Sequence, residues 1–209
     1  MSQIDRWQDK VLKIMSGRFS EYILGGGTAL SKFYFKHRYS EDLDFFTLIF
    51  APKNIFSLID IIIKDSGKVI QTTAKQLKSD KVKVLVFCLP VTKKLMLKID
   101  FIEDTSKRIT HPTVINGVSV MSLEDIYLRK IYAISGTSVL LDDTGRITML
   151  GGRQEAKDYY DLYFLSHTFM NLSKFVMKYG DPIMKEALVR WFRSYSRMEI
   201  KTGLLDLNK

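Results

Sequence analysis

Residues 22–46 read YILGGGTALSKFYFKHRYSEDLDFF: a short apolar run, three glycines, a helical stretch, then two aspartates one residue apart. A packed core has no use for that combination. Three consecutive glycines discourage regular structure, and Asp42-Leu43-Asp44 sets two like charges close together. In an extended strand, side chains i and i+2 share a face, so Ser40, Asp42 and Asp44 line one side while Leu43 and Phe45 take the other.

Two carboxylates held that close repel each other unless a positive charge stands between them. A divalent cation suits the place: Mg²⁺, or Mn²⁺, prefers oxygen ligands and keeps waters and substrate phosphates around it. The bland alternative is an exposed turn with two solvated acids. Gly25-Gly26-Gly27-Thr28 follows a strand and opens a helix, which turns free backbone N–H groups and a positive dipole end toward any phosphate. The spacing is neither G-x-G-x-x-G nor a P-loop. A third acid joins the pair. Along 95–102, Leu95, Leu97, Ile99 and Phe101 alternate with Met96, Lys98, Asp100 and Ile102, which puts Asp100 in mid-strand on the face away from the apolar set. Three acids on adjacent strands beside a phosphate-binding turn describe a metal-dependent nucleotide site.

The rest of the chain supplies the frame. Apolar residues at helical spacing (Ile4, Trp7, Val11, Leu12, Met15) predict a helix over 4–19. Further helices are expected over 28–36 and 55–63, and strands over 22–24, 43–46, 68–73, 82–89 and 95–102, in an antiparallel or mixed sheet. Residues 111–119 read as a polar connection, and Cys88 as a core residue. Beyond residue 120 the pattern turns helical, with 138–150 either a hairpin or an irregular insertion, a break near Gly180-Asp181-Pro182, and a frayed end over 201–209. A domain boundary near residue 120 follows, separating 1–120 from 121–209.

Composition narrows the class. The 209 residues are 46% hydrophobic, enough for a core, and carry a formal net charge of +9, which favours a polyanionic partner. One cysteine excludes a disulfide framework and a cysteine-built zinc site. With no secretory signal and no apolar run of membrane-spanning length, a soluble, cytoplasmic protein is expected.

Two helical anomalies remain. Lys130 falls within the apolar stripe of Ile126, Tyr127 and Ile134, where a lysine either snorkels to the edge or reaches a negative ligand. Arg153, Lys157 and Asp161 form a row at i, i+4 and i+8, the ordinary reading of which is an exposed ion pair on a helix. His37 suits either a phosphate contact or a structural hydrogen bond, and the aromatics Tyr159, Tyr160, Tyr163 and Phe164 suit base stacking or helix packing.

Gly-Gly-Thr-Ala-Leu (26–30) followed by His37-Arg38-x-Ser40-x-Asp42-Leu43-Asp44-Phe45-Phe46 resembles the first motif of the AbiEii/AbiGii-type nucleotidyltransferase toxins. Leu123 to Lys130 followed by Ile-Tyr-Ala, and Lys157-Asp158-x-x-Asp161-Leu162, resemble later motifs of the family in the same order. The resemblance implies an α+β fold: a polymerase-β-like nucleotidyltransferase domain with a mixed sheet, then a C-terminal helical bundle domain that completes the nucleotide site. It places Asp42, Asp44 and Asp100 as metal-binding and catalytic acids, Lys130 on the nucleotide phosphates, and Asp161 as the acid of the last motif. Gly26, Gly27, Thr28, Arg38, Ser40 and Lys157 fall among its nucleotide-binding positions. It further implies an NTP substrate, an RNA acceptor such as the 3′ end of tRNA, and a partner antitoxin. Nucleotidylation or phosphorylation of a protein, or a non-catalytic RNA- or partner-binding role, are the alternatives.

Overall fold

The first helix, α1 (Gln3–Met15), begins where Ser2 and Asp5 exchange side-chain and backbone hydrogen bonds, a capping box that satisfies two orphan donors at once. It buries Ile4, Val11, Leu12 and Met15, the stripe expected from their spacing. It stops at Met15, four residues short of the expected end.

The computed structural model describes residues 2–78, 81–136, 138–141, 143, 145, 147–150 and 152–207. Two units emerge. One comprises Met1–Tyr34 with Ser40–Ser122, the other Phe35–Tyr39 with Leu123–Lys209. The quoted stretch is thus divided: its glycines and aspartates lie in the first unit, and His37 and Arg38 in the second.

In the first unit, β1 (Ile23–Leu24) leads into α2 (Gly26–Ala29), which widens into a π-helical turn over Leu30–Tyr34. The helix therefore starts two residues earlier than expected. The strands β2 (Leu43–Thr47), β3 (Gln71–Gln76), β4 (Val84–Pro90), β5 (Met96–Glu103), β6 (Thr113–Ile115) and β7 (Val118–Val120) complete a seven-stranded sheet in the order β3-β4-β5-β2-β1-β7-β6. Two of its pairings, β2–β5 and β1–β7, are parallel and the rest antiparallel, so the sheet is mixed.

Helix α3 (Pro52–Ser66) has Pro52 in its first turn and ends at Gly67, whose φ of 68° is the left-handed cap that glycine supplies cheaply. Ile55, Leu58, Ile59 and Ile62, spaced i, i+3, i+4 and i+7, are its buried row. They join Leu43 and Phe45 of β2, Leu85, Phe87 and Leu89 of β4, and Leu97, Ile99 and Phe101 of β5 in the core. Phe101 stacks on Phe45 and meets Phe87 and Tyr22 edge-on, and Phe56 of α3 meets Phe87 the same way. One face of β2, β4 and β5 is thereby apolar, and period-2 alternation sends Asp44, Val86, Cys88, Lys98 and Asp100 to the other.

Three expectations are corrected here. Residues 111–119 are a hairpin rather than a polar connection: Asn116 (φ 52°) and Gly117 (φ 78°) are both left-handed, as a two-residue type I′ turn requires. The third strand lies at 71–76 instead of 68–73 and forms an exposed sheet edge. Cys88 is not in the core; it alternates with buried Phe87 and Leu89, is half-buried on the opposite face, and sits 3.7 Å from the Thr73 hydroxyl.

The second unit contains α4 (Leu123–Ser135), α5 (Ala156–Thr168), α6 (Leu172–Tyr179), α7 (Pro182–Ser194) and α8 (Arg197–Asp206). Residues 138–150 form a hairpin, β8 (Ser138–Leu141) with β9 (Ile147–Leu150); Asp142 and Thr144 of its Asp-Asp-Thr-Gly segment lie outside the described residues. The helices pack through Tyr127 and Phe175, whose rings stack at 4.1 Å between centroids, and through Met184 and Ala187 of α7. The expected break at 180–182 is a cap, Asp181 accepting from Met184 N–H ahead of Pro182. The expected fraying over 201–209 is corrected as far as Asp206, to which α8, capped by Ser196, runs; residues 208 and 209 lie outside the described residues. Among the described residues, no helix is long and apolar enough to cross a membrane.

Candidate active site

The glycine turn and the aspartate strand are built as one piece. Gly25 N–H donates to the Asp44 carbonyl at 2.8 Å, and the Thr28 hydroxyl donates to the Asp42 carbonyl. Gly26 has φ 65°, and a Cβ placed there would stand 2.2 Å from Asp44 Oδ2. Only glycine lets the chain turn there with the carboxylate where it is. Thr28 is fully buried, so its hydroxyl serves the strand. The N–H groups of Gly26, Gly27 and Thr28, first in the helix, have no intrahelical acceptor by construction. Upstream of the aspartates, the Ser40 carbonyl accepts from Gln8 Nε2 at 2.8 Å.

Parallel pairing of β2 with β5 puts Asp44 directly opposite Asp100. Asp42 lies just ahead of β2, two residues before Asp44, and its charge acts on Asp100. Asp100 is 7% exposed, and burial pushes its carboxyl above the ordinary carboxylate value, with Asp42 adding to the shift and Lys98 opposing it. Lys98 Nζ donates to Asp100 Oδ2 at 2.5 Å, while Asp100 Oδ1 is buried and has no hydrogen-bond partner among the described residues. Burial works against the charge on Lys98, but the Asp100 hydrogen bond and the fields of Asp100, Asp42 and Asp44 outweigh it and raise its pKa. Lys98 shares the face of Asp100 at i, i+2, which brings it near the acids without fixing the contact.

An all-oxygen donor set of three carboxylates matches the preference of Mg²⁺ or Mn²⁺. The unpartnered Asp100 Oδ1 is an acceptor that a cation would satisfy, so the residues fit a divalent ion. Among the described residues, no three His, Cys, Asp or Glu side chains are gathered into a ready metal cage. Lys98 is the cation in contact with Asp100 among the described residues.

The second unit contains a buried ionic network. Asp161 accepts from His37 Nε2, Arg38 Nε, Arg38 Nη2 and Lys130 Nζ, each at 2.7 Å. Asp158 accepts from Lys130 Nζ at 2.7 Å and from Arg153 Nε at 2.5 Å. Burial would raise both carboxyls, yet Lys130 and the surrounding donors hold Asp158 below the usual range and Asp161 well below it. Lys130 is likewise buried, and the two aspartates raise its pKa. The His37 ring stacks on Tyr160 and touches Phe164.

Lys130 therefore neither snorkels nor stands open; it turns inward to two carboxylates. The exposed pair read between Lys157 and Asp161 is also corrected. Helix α5 begins at Ala156, after Arg153, and Asp161 faces the interior, so Lys157 pairs with Glu155 at 2.9 Å. Gly26, Gly27, Thr28, Ser40, Asp42, Asp44 and Asp100 thus lie in one unit, and Arg38, Lys130, Lys157 and Asp161 in the other.

Solved structures share this fold. A candidate nucleotidyltransferase from H. pylori aligns over 96% of this chain and 94% of its own, with TM-score 0.55 and 19% identity. JHP933 from Helicobacter pylori aligns over 97% and 92%, with TM-score 0.54 and 19% identity. MenT4, the nucleotidyltransferase toxin Rv2826c from Mycobacterium tuberculosis H37Rv, aligns over 85% of this chain and 62% of its own, with TM-score 0.57 and 13% identity. No curated protein matches the sequence. The family model described as nucleotidyl transferase AbiEii toxin, type IV toxin–antitoxin system, matches residues 12–207. With that span covering almost the whole chain, the protein belongs to the AbiEii family of nucleotidyltransferase toxins.

Proposed function

We propose that this nucleotidyltransferase toxin transfers a nucleoside monophosphate from an NTP to the 3′ end of tRNA, in a reaction that depends on Mg²⁺ or Mn²⁺. The observation that carries the reading is the juxtaposition of Asp44 and Asp100 across parallel strands, with Asp42 two residues ahead of Asp44 and a glycine turn pinned beside them. In this reading Asp42, Asp44 and Asp100 hold the divalent ion, and the helix-opening N–H groups of Gly26, Gly27 and Thr28 bind phosphate. A bound divalent ion supplies charge neutralisation on the phosphates and a more acidic attacking hydroxyl. The attacking oxygen forms a bond to the α-phosphorus, the bond to the bridging oxygen breaks, and pyrophosphate leaves. The net charge of +9 favours a polyanionic acceptor over a neutral one.

Within the second unit, Lys130, Arg38 and Asp161 act as positioning residues in this reading: they fix residues 35–39, α4 and α5 to one another. The family resemblance also gives Lys130, Arg38 and Lys157 to the nucleotide phosphates, and Lys130→Arg tests that role because it keeps the charge. A cognate antitoxin partner follows from the type IV toxin–antitoxin family, and a cytoplasmic site of action from a tRNA substrate.

The test incubates the protein with total tRNA, Mg²⁺ and each α-labelled NTP in turn, beside Asp42→Ala. Label on tRNA with wild type alone supports the proposal and names the nucleotide. Label on protein instead moves the acceptor. No transfer to any acceptor, with NTP still bound, contradicts the enzymatic reading.

A further inference from the structure

Asp100 has one oxygen engaged and one without a hydrogen-bond partner among the described residues. Oδ2 is taken by the Lys98 ammonium at 2.5 Å, and Oδ1 is buried. The Asp100 side chain is only 10% exposed, whereas that of Lys98 is 42% exposed. Lys98 is thus half in water, on a flexible four-carbon stem that can leave without disturbing the apolar face of β5. Its ammonium also lies in the field of Asp42 and Asp44, so one cation answers to all three acids.

We propose that Lys98 is an internal counter-ion that occupies the divalent site. Its ammonium pairs with Asp100 until a divalent cation displaces it, and this competition sets how much metal the site needs before it fills. The proposal rests on the metal reading above. A divalent ion brings twice the charge of the ammonium to the same carboxylate oxygens, so it competes for the place that Lys98 holds beside Asp100. Displacement exchanges a strongly hydrated ammonium, which returns to solvent, for an ion that prefers oxygen ligands. No covalent step is involved.

Mn²⁺ binding to the full chain, followed by electron paramagnetic resonance and by calorimetry, tests this with wild type, Lys98→Met, Lys98→Arg and the double variant Lys98→Met with Asp100→Asn. Removing the ammonium while keeping the stem is expected to tighten Mn²⁺ roughly tenfold, about 1.4 kcal/mol. Lys98→Arg, which keeps the charge, is expected to stay near wild type. Without divalent ions Lys98→Met is expected to melt lower than wild type, and Mn²⁺ to recover the difference. Lys98→Gln replaces it if the methionine variant does not fold. Unchanged or weaker Mn²⁺ binding in Lys98→Met, with the double variant still losing the site, overturns the role of Lys98 and leaves the metal reading standing. Absence of Mn²⁺ binding in every variant overturns both.

Discussion

Gly26 carries a constraint that its two neighbours do not. It combines a left-handed φ with a Cβ position 2.2 Å from the Asp44 carboxylate, whereas Gly17, equally left-handed at φ 71°, has nothing within 4 Å. Gly17→Ala is expected to cost only the backbone strain, about 1–2 kcal/mol. Gly26→Ala adds a clash worth roughly 1–3 kcal/mol more and is expected to remove nucleotide transfer by displacing Asp44. Urea unfolding of the two variants side by side checks this, and equal losses of stability would refute the close approach. At this scale the sequence was informative about chemistry and poor about geometry. The Asp-x-Asp and the alternation along 95–102 placed three acids on one face, and the strand register sets two of them, Asp44 and Asp100, opposite each other. Which glycine must be glycine was not legible, because φ and the neighbouring carboxylate belong to the folded chain. Lys98 was visible as a residue on the acid face, but its contact with Asp100 depends on a rotamer that no spacing encodes.

Helices α4 and α5 are joined by charges that have left water. Lys130, Asp158 and Asp161 are all buried, so removing the lysine strands two carboxylates in the interior. Lys130→Met is therefore expected to destabilise the protein by about 3–5 kcal/mol, read as a lowered urea midpoint, while Lys157→Met, at a surface pair, should cost under about 1 kcal/mol. A Lys130→Met protein as stable as wild type would sink the positioning role. Lys130 was conspicuous in the sequence as a lysine on an apolar stripe; its partners were not, since they arrive 28 and 31 residues later from another helix. The hairpin at 113–120 was legible and was overlooked. Asn116-Gly117 is the strongest short-range hairpin signal there is, but three-residue strands fall below what alternation reveals.

For the molecule as a whole, the depressed carboxyls of Asp158 and Asp161 give stability a direction in pH. Their folded pKa values lie below the unfolded ones, so the unfolded chain takes up protons first as pH falls. The stability they contribute is complete above about pH 5 and declines through about pH 4 and below. Urea midpoints are expected to be flat from about pH 6 to 8 in this respect and to drop steeply toward about pH 3; a midpoint at pH 3 matching that at pH 6 would contradict the network. A change of periodicity near residue 120 was readable, and the two units divide between Ser122 and Leu123. The assignment of residues 35–39 to the helical unit was not, because it depends on Arg38 and His37 meeting Asp161 far along the chain. Asp42, Asp44 and Asp100 are proposed as a divalent-dependent transfer centre. Pyrophosphate release from NTP in the presence of tRNA, followed as Mg²⁺ is titrated into the EDTA-treated protein, tests it most directly. Release that is absent in EDTA, rises with Mg²⁺, and falls at least a thousandfold in a folded Asp44→Asn variant, about 4 kcal/mol, is the predicted result. Release that persists in EDTA, or survives Asp44→Asn undiminished, would contradict the account.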